Sequence, residues 1–334
     1  MQFLARLGLH HSERCPAFNW AMSARRIYER FTLAMTTERA SPRYSGIDLW
    51  EPADILESLV EGQFSAVAAV RSALPLIEAA AVAMEERLRD RGRLVYAGAG
   101  TSGRMGVQDG AELTPTFGWP EDRVLLLIAG GKDALLQSVE GAEDEVHHAA
   151  RLVAQHDVNA DDVLIAVSAS GTTPFTLTCL REALKRGALT VGIANNRDMP
   201  ILQESHQPIL LSTGSEPIAG STRLKAGTAQ KIALNLLSTL LMILLGRVYQ
   251  GLMVDVRAQN EKLVRRSEDI LMQLTGRSRD DARLAIDRAR GSVKVAVLLL
   301  QGCDLETAMD LLERCGGQLG KALDLANARG SDAA

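Results

Sequence analysis

The sequence predicts an α/β fold: a parallel sheet covered by helices on both faces in a three-layer αβα arrangement, followed by a small C-terminal helical bundle. Three observations carry this. Between residues 93 and 211, five short apolar runs alternate with helical segments, the pattern of crossover units that bury a parallel sheet on both sides. Two of those runs lead straight into loops rich in glycine and hydroxyl side chains. The composition is 46% hydrophobic but only 4% aromatic, which suits a core of Ala, Leu and Val.

A chain of 334 residues has room for one large domain and a smaller one. The formal net charge of −4, with a pI near 5.9, argues against a nucleic-acid footprint. An anionic ligand must then be held by local dipoles and donors. Cys15, Cys179, Cys303 and Cys315 are dispersed with no CxxC spacing. No disulfide framework or metal site is expected, and a reducing cytoplasm fits.

In chain order, residues 1–34 stand apart. They carry Arg6, Arg14, Arg25, Arg26 and Arg30 against Glu13 and Glu29, with no continuous apolar segment, so a secretory signal is not expected. An Arg-rich targeting arm is one reading; an upstream extension, with translation starting at Met35 or Met22, is preferred. Residues 35–92 form an arm and helices. Pro42 and Gly46 mark turns, Ile47, Leu49 and Trp50 pack the arm down, and a short helix covers Ile55–Glu61. Phe64, Val67, Ala68, Val70, Leu74, Ile77 and Ala81 then repeat at helical spacing. This second helix is expected to bend or restart at Pro75 and to stop at Gly92.

Residues 93–255 make the core. The expected strands are Arg93–Ala97, Val124–Ile128, Val163–Val167, Leu189–Ile193 and Pro208–Leu211. Helices are expected over Ser102–Leu113, Glu143–Gln155, Pro174–Lys185 and Pro200–Glu204. Gly220–Thr228 opens a further apolar helix whose run Ile232–Leu245 is too short to span a bilayer; it reads as a core or interface helix. Residues 256–334 continue as amphipathic helices with turns at Gly276, Gly291, Gly302 and Gly316-Gly317.

The chemistry concentrates in two loops. Gly98-Ala99-Gly100-Thr101-Ser102-Gly103-Arg104 follows the first strand and opens a helix. Glycines bring backbone N–H groups close to a ligand, Thr101 and Ser102 add hydroxyls, and the helix N-terminus favours a phosphate. The same letters spell GxGxxG, the dinucleotide fingerprint. That reading needs an acidic residue at the end of the next strand, which here ends Ala129-Gly130-Gly131, with Asp133 two residues late. The second loop, Ser168-Ala169-Ser170-Gly171-Thr172-Thr173-Pro174, offers four hydroxyls around one glycine, more than helix capping requires.

These segments sit among others: DGAELTPTFG at 109–118, AGG at 129–131, VEGAED at 139–144, GSTRLKAGTAQK at 220–231, NLLST at 235–239 and LMVDV…NEKL at 252–263. Together they resemble the N-acetylmuramic acid 6-phosphate etherase family of the sugar-isomerase (SIS) superfamily, from about Thr36 to the C-terminal bundle. The resemblance implies an SIS-type sheet and a ubiquitin-associated-like bundle. It implies release of D-lactate from N-acetylmuramate 6-phosphate in peptidoglycan recycling, by a cytoplasmic homodimer. Two catalytic glutamates fall on Glu112 and Glu143. Thr101, Ser102, Ser168, Ser170 and Thr173 match the phosphate-binding hydroxyls. Thr172 stands where arginine is common in the family, and Leu113-Thr114 replaces a Cys-Pro-like pair.

The chemistry is consistent with two carboxylates. In the ring-opened sugar the C3 ether is β to the C1 aldehyde, so loss of lactate is a β-elimination that needs a base at C2 and an acid at the leaving oxygen. Glu112 lies among Ala111, Leu113, Pro115, Phe117 and Trp119 in sequence; burial there would favour the neutral acid, and it is assigned as general acid. Glu143, beside Glu140, Asp144 and Glu145, is assigned as base. Glu216 is a third candidate, or a loop carboxylate pairing Arg223. No metal and no redox cofactor is called for, and neither nucleic acid nor membrane is an expected partner. Two rival readings remain on the same scaffold: a sugar-phosphate isomerase, and a non-catalytic sugar-phosphate-sensing regulatory protein.

Overall fold

The computed structural model describes residues 35–255 and 261–332; segment 1–34, read above as an extension, lies outside them. All five expected strands form one parallel sheet: β1 (Leu94–Gly98), β2 (Val124–Ile128), β3 (Val163–Val167), β4 (Leu189–Ala194) and β5 (Gln207–Leu210). Their spatial order is β2-β1-β3-β4-β5. The chain leaves β1 for β2 on one side and returns as β3 on the other, with Gly98 level with Ile128 and Val167. This switch in strand order opens a crevice at the carboxyl ends of β1 and β3, where ligands of such sheets bind.

Helices α1 (Pro52–Leu88), α2 (Gly100–Phe117), α3 (Val146–Gln155), α4 (Pro174–Lys185), α5 (Pro200–Glu204) and α6 (Lys225–Leu244) cover the sheet. Strand side chains alternate between two cores. Tyr96, Ile165, Val167, Val191 and Ile193 join α1, α2 and α6 on one face. Val95, Ala97, Leu164 and Ala166 join α3, α4 and α5 on the other. Both faces are buried, which is why the strands read as continuous apolar runs.

Several expectations change. Residues 52–88 form one helix, not two. Pro75 and the carbonyl of Arg71 that it leaves without a donor both lie on the exposed face, where water serves the freed acceptor. Gly62 lies within the helix because a Cβ there would come 3.3 Å from the Lys225 side chain. Phe64, Val67 and Leu74, expected in the core, are exposed. Finally, α3 starts at Val146, and Glu143 occupies a separate 3₁₀ turn, Ala142–Asp144.

A feature that the sequence reading did not anticipate is the antiparallel ribbon β6 (Val248–Tyr249) and β7 (Leu252–Met253). It turns through Gln250 at φ 49° and Gly251 at φ 75°, the backbone of a tight primed turn. Helix α6, which starts earlier than its apolar run, and α1 are each long and apolar enough to cross a bilayer. Their buried faces pack on each other and on the sheet instead.

Helices α7 (Glu261–Thr275), α8 (Arg279–Arg288), α9 (Val293–Leu300), α10 (Leu305–Arg314) and α11 (Leu319–Asp332) enclose a third core around Leu271, Val297, Leu298 and Leu311. Polar ties fasten this bundle to the end of α6. Lys294, almost buried, donates to Asp255 at 2.8 Å, and Asp255 lies 3.6 Å from Arg247. Gln318 donates to the Leu244 carbonyl at 3.2 Å.

Cys179 on α4 is fully buried, and desolvation pushes its thiol up to about 12. Since the thiolate is the nucleophile, iodoacetamide at neutral pH should label the partly exposed Cys315 and leave Cys179 unmodified until denaturant is added. Mass spectrometry of the alkylated peptides checks this.

Candidate active site

The first loop owes its shape to two kinds of glycine. A Cβ on Gly98 would lie 2.8 Å from Gly103 Cα, and one on Gly103 would lie 2.8 Å from the Gly98 oxygen. These residues let α2 press directly onto β1. Gly100, by contrast, turns the chain at φ 53° with open space where a side chain would be. No side chain caps α2, so its first-turn N–H groups are free for a ligand. Thr101 rests against Gly227 at the head of α6, 3.2 Å from where a Cβ would be. Ser102 is almost buried.

The second loop gathers its hydroxyls into one cluster. Ser168 Oγ lies 2.9 Å from Thr173 Oγ1 and 3.1 Å from Ser170 Oγ. Ser168 Oγ also accepts from Gly171 N–H at 3.0 Å. Thr172 donates through its N–H and its hydroxyl to Ser170 Oγ, both at 3.2 Å. Thr173 is the N-cap residue of α4, yet its side chain makes no capping bond. The cluster is therefore not a cap; its hydroxyls face one another at the bare N-terminus of a 12-residue helix.

Glu216 takes a different place from either expectation. It is fully buried, and its two carboxylate oxygens accept from Lys225 N–H at 3.0 Å and Ala226 N–H at 2.9 Å. It caps α6 from nine residues upstream. Burial pushes its carboxyl above the usual range while these two bonds pull it back. Arg223 stays on the exposed surface.

The paired glutamates are not brought together within one chain. The turn carrying Glu143 buries Ala142 beside Phe175 and Leu177 of α4, on the α4 face of the sheet and close to the second loop. Glu112 lies on α2, on the opposite face. Leu113 and Trp119 are buried in the core, but Glu112 points outward and is exposed. The expectation that its apolar sequence neighbours bury it fails, because the helical period turns Leu113 inward and Glu112 outward. Glu112 is also ten residues beyond Ser102, roughly 15 Å along the axis, past Asp109 and Gly110, which lie against Tyr96 in the middle of β1.

Comparison with known proteins identifies the chain. Residues 76–184 match the model of the glucokinase regulatory protein N-terminal SIS domain, and residues 133–240 match the SIS domain model. The N-acetylmuramic acid 6-phosphate etherase of Deinococcus radiodurans is 49% identical over 298 residues, covering 89% of this chain and 98% of that protein. The etherase of Streptomyces avermitilis is 45% identical over 305 residues, covering 91% and 98%. The chain belongs to the N-acetylmuramic acid 6-phosphate etherase family. A phosphoheptose isomerase from Francisella tularensis aligns over 58% of this chain and all of its own length, with 19% identity and a TM-score of 0.44.

Two features of this etherase-family site escaped the sequence reading. Asn195 and Asn196, directly after β4, seat the second loop. The Asn195 N–H donates to the Ala169 carbonyl at 3.1 Å, and Asn196 Nδ2 donates to it at 2.9 Å. Gln230 of α6 donates to Asn195 Oδ1 at 2.9 Å. Two amides at the carboxyl end of a strand were the available signal. The second is the set of partners of Asp109, which lies just behind the first loop and is almost buried. It accepts from Tyr96 Oη at 2.8 Å, Asn235 Nδ2 at 2.7 Å and Ser238 Oγ at 3.1 Å. Burial first, and the Asp109 charge second, hold the Tyr96 phenol well above its usual range.

Gly171 sits at φ 77°, and a Cβ there would fall 2.5 Å from Met199 Cβ. Gly171→Ala should therefore destabilise the protein by about 1–3 kcal/mol, read as a lower urea midpoint. The same variant should lose affinity for sugar phosphate, measured by calorimetry at a temperature where it remains folded.

Proposed function

We propose that the chain is an N-acetylmuramic acid 6-phosphate etherase, a carbon–oxygen lyase. It splits the D-lactyl ether to give N-acetylglucosamine 6-phosphate and D-lactate, in cytoplasmic peptidoglycan recycling. The observation that carries this, beside family membership, is the hydroxyl cluster of Ser168, Ser170 and Thr173 at the uncapped N-terminus of α4. With the free first turn of α2 at Thr101 and Ser102, it suits a sugar 6-phosphate. The C-terminal bundle reads as the family's ubiquitin-associated-like module. Its short helices and glycine turns support that reading.

In the ring-opened substrate Glu143 takes the C2 proton, and the electrons move through the enolate to break the C3–O bond. Glu112 gives a proton to the leaving lactate oxygen. Water then adds at C3 of the unsaturated aldehyde, and C2 regains a proton. Each positioned acid or base contributes about 100- to 10,000-fold.

The placement of Glu112 calls for a second copy of the chain. Exposed on α2 and roughly 15 Å along its axis from the first loop, it is far from a sugar whose phosphate sits at the carboxyl ends of the strands. Leu56, Val60, Phe64, Val67, Leu74 and Val82 form one exposed stripe on α1, a larger apolar face than monomers usually leave open. Arg71 and Glu78 lie on the same stripe and are exposed. Two α1 helices packed antiparallel about a twofold axis set Arg71 of each copy opposite Glu78 of the other. The homodimer then completes each site, with the hydroxyl cluster and Glu143 from one copy and Glu112 from its mate. The isomerase and sensing alternatives draw no support from the relatives, whose names and lengths follow the etherase.

Three measurements test this reading. Incubation with N-acetylmuramate 6-phosphate should release D-lactate; a ketose phosphate and no lactate would defeat the etherase assignment. Ser170→Ala should raise KM for the phosphorylated sugar much more than it lowers kcat. Glu112→Gln and Ser170→Ala, mixed and refolded together at low substrate, should recover up to about a quarter of the parent activity, since each mixed dimer keeps one intact site. No recovery would place Glu112 in the same copy's site.

A further inference from the structure

An arginine inside a phosphate-binding loop invites reading as a phosphate ligand, and Arg104 occupies that place in the sequence. Its guanidinium is used elsewhere. Nε donates to the Ala134 carbonyl at 2.8 Å, and Nη2 donates to the Gln137 carbonyl at 3.1 Å. Both acceptors lie in the segment 131–145 that leads from β2 to Glu143. Beyond the packing of Ala142 beside Phe175 and Leu177, that segment has few anchors. It lies almost wholly on the surface, with Leu136 at 95% exposure, and only Ala134 and Ala142 are buried. Gly131 and Gly141, both at positive φ, bracket it. Among the described residues, the side-chain hydrogen bonds that reach it from another element are the two from Arg104; from the backbone, the Ala149 N–H of α3 donates to the Glu145 carbonyl at 3.1 Å.

From this geometry we infer that Arg104 is a positioning residue, which fixes the Glu143 segment against the head of α2 and so sets the distance between the bound phosphate and the base at C2. A planar fork suits this task. It spans two carbonyls three residues apart, whereas a lysine offers a single point donor. The inference rests on the reading of Glu143 as base.

The test compares Arg104→Ala, Arg104→Lys and Glu143→Gln with the parent. The readouts are kcat and KM for lactate release, the inhibition constant of inorganic phosphate, and deuterium uptake at C2 in D2O. Displacing a catalytic group by an ångström costs up to about 100-fold, so Arg104→Ala should lose about 10- to 100-fold in kcat and in C2 exchange while KM and phosphate inhibition stay within about twofold. Arg104→Lys should recover part of the loss. Limited proteolysis should cut Arg104→Ala faster within 131–145 and no faster elsewhere, which separates a loosened segment from an unfolded chain. A higher KM and weaker phosphate inhibition at unchanged kcat would make Arg104 a phosphate ligand and overturn the inference. So would a full kcat in Arg104→Ala when Glu143→Gln is dead. Full C2 exchange in Glu143→Gln would instead remove the base assignment on which the inference rests.

Discussion

The arrangement depends on one buried carboxylate. Asp109 is almost enclosed, and a carboxylate in that setting is costly unless donors surround it. It finds three, from Tyr96 on β1 and from Asn235 and Ser238 on α6. The knot joins β1, α2 and α6, and it fixes α2 against rotation about its own axis. With that rotation set, Thr101 faces the head of α6, the Gly103 turn lies on β1, and Glu112 has no choice but to face outward. A helix turned by one residue would bury Glu112 and expose Leu113. The outward carboxylate is thus the other side of the same constraint that seats the first glycine-rich loop.

The strands were legible in the sequence because burial on both faces removes the polar alternation that would blur them. The two hydroxyl loops were legible because glycine and hydroxyl residues follow their strands without a gap, and a parallel sheet brings all its carboxyl ends to one edge. What was not legible depended on contacts distant in sequence. Pro75 read as a bend or restart in a helix, but it lies on an exposed face. Glu112 read as buried from its sequence neighbours, although a helical period of 3.6 separates adjacent residues by about 100°. The bond from Asn235 to Asp109 spans 126 positions, and no local pattern announces it. Glu143 read as the start of a helix because acidic residues favour first turns, whereas the chain spends those residues on a separate turn.

Among the helices that begin at the carboxyl edge, α2, α4 and α6 are treated differently. Two keep their first turns bare. The third, α6, is closed by Glu216, a carboxylate tethered nine residues away. A tether of that length holds its anion at an effective concentration in the millimolar range or above, and here the carboxylate is already desolvated and docked. A free phosphate competing for those N–H groups faces a resident that never diffuses away. The molecule thereby rations its own positive ends: it leaves two of them bare at the carboxyl edge and neutralises the third from within.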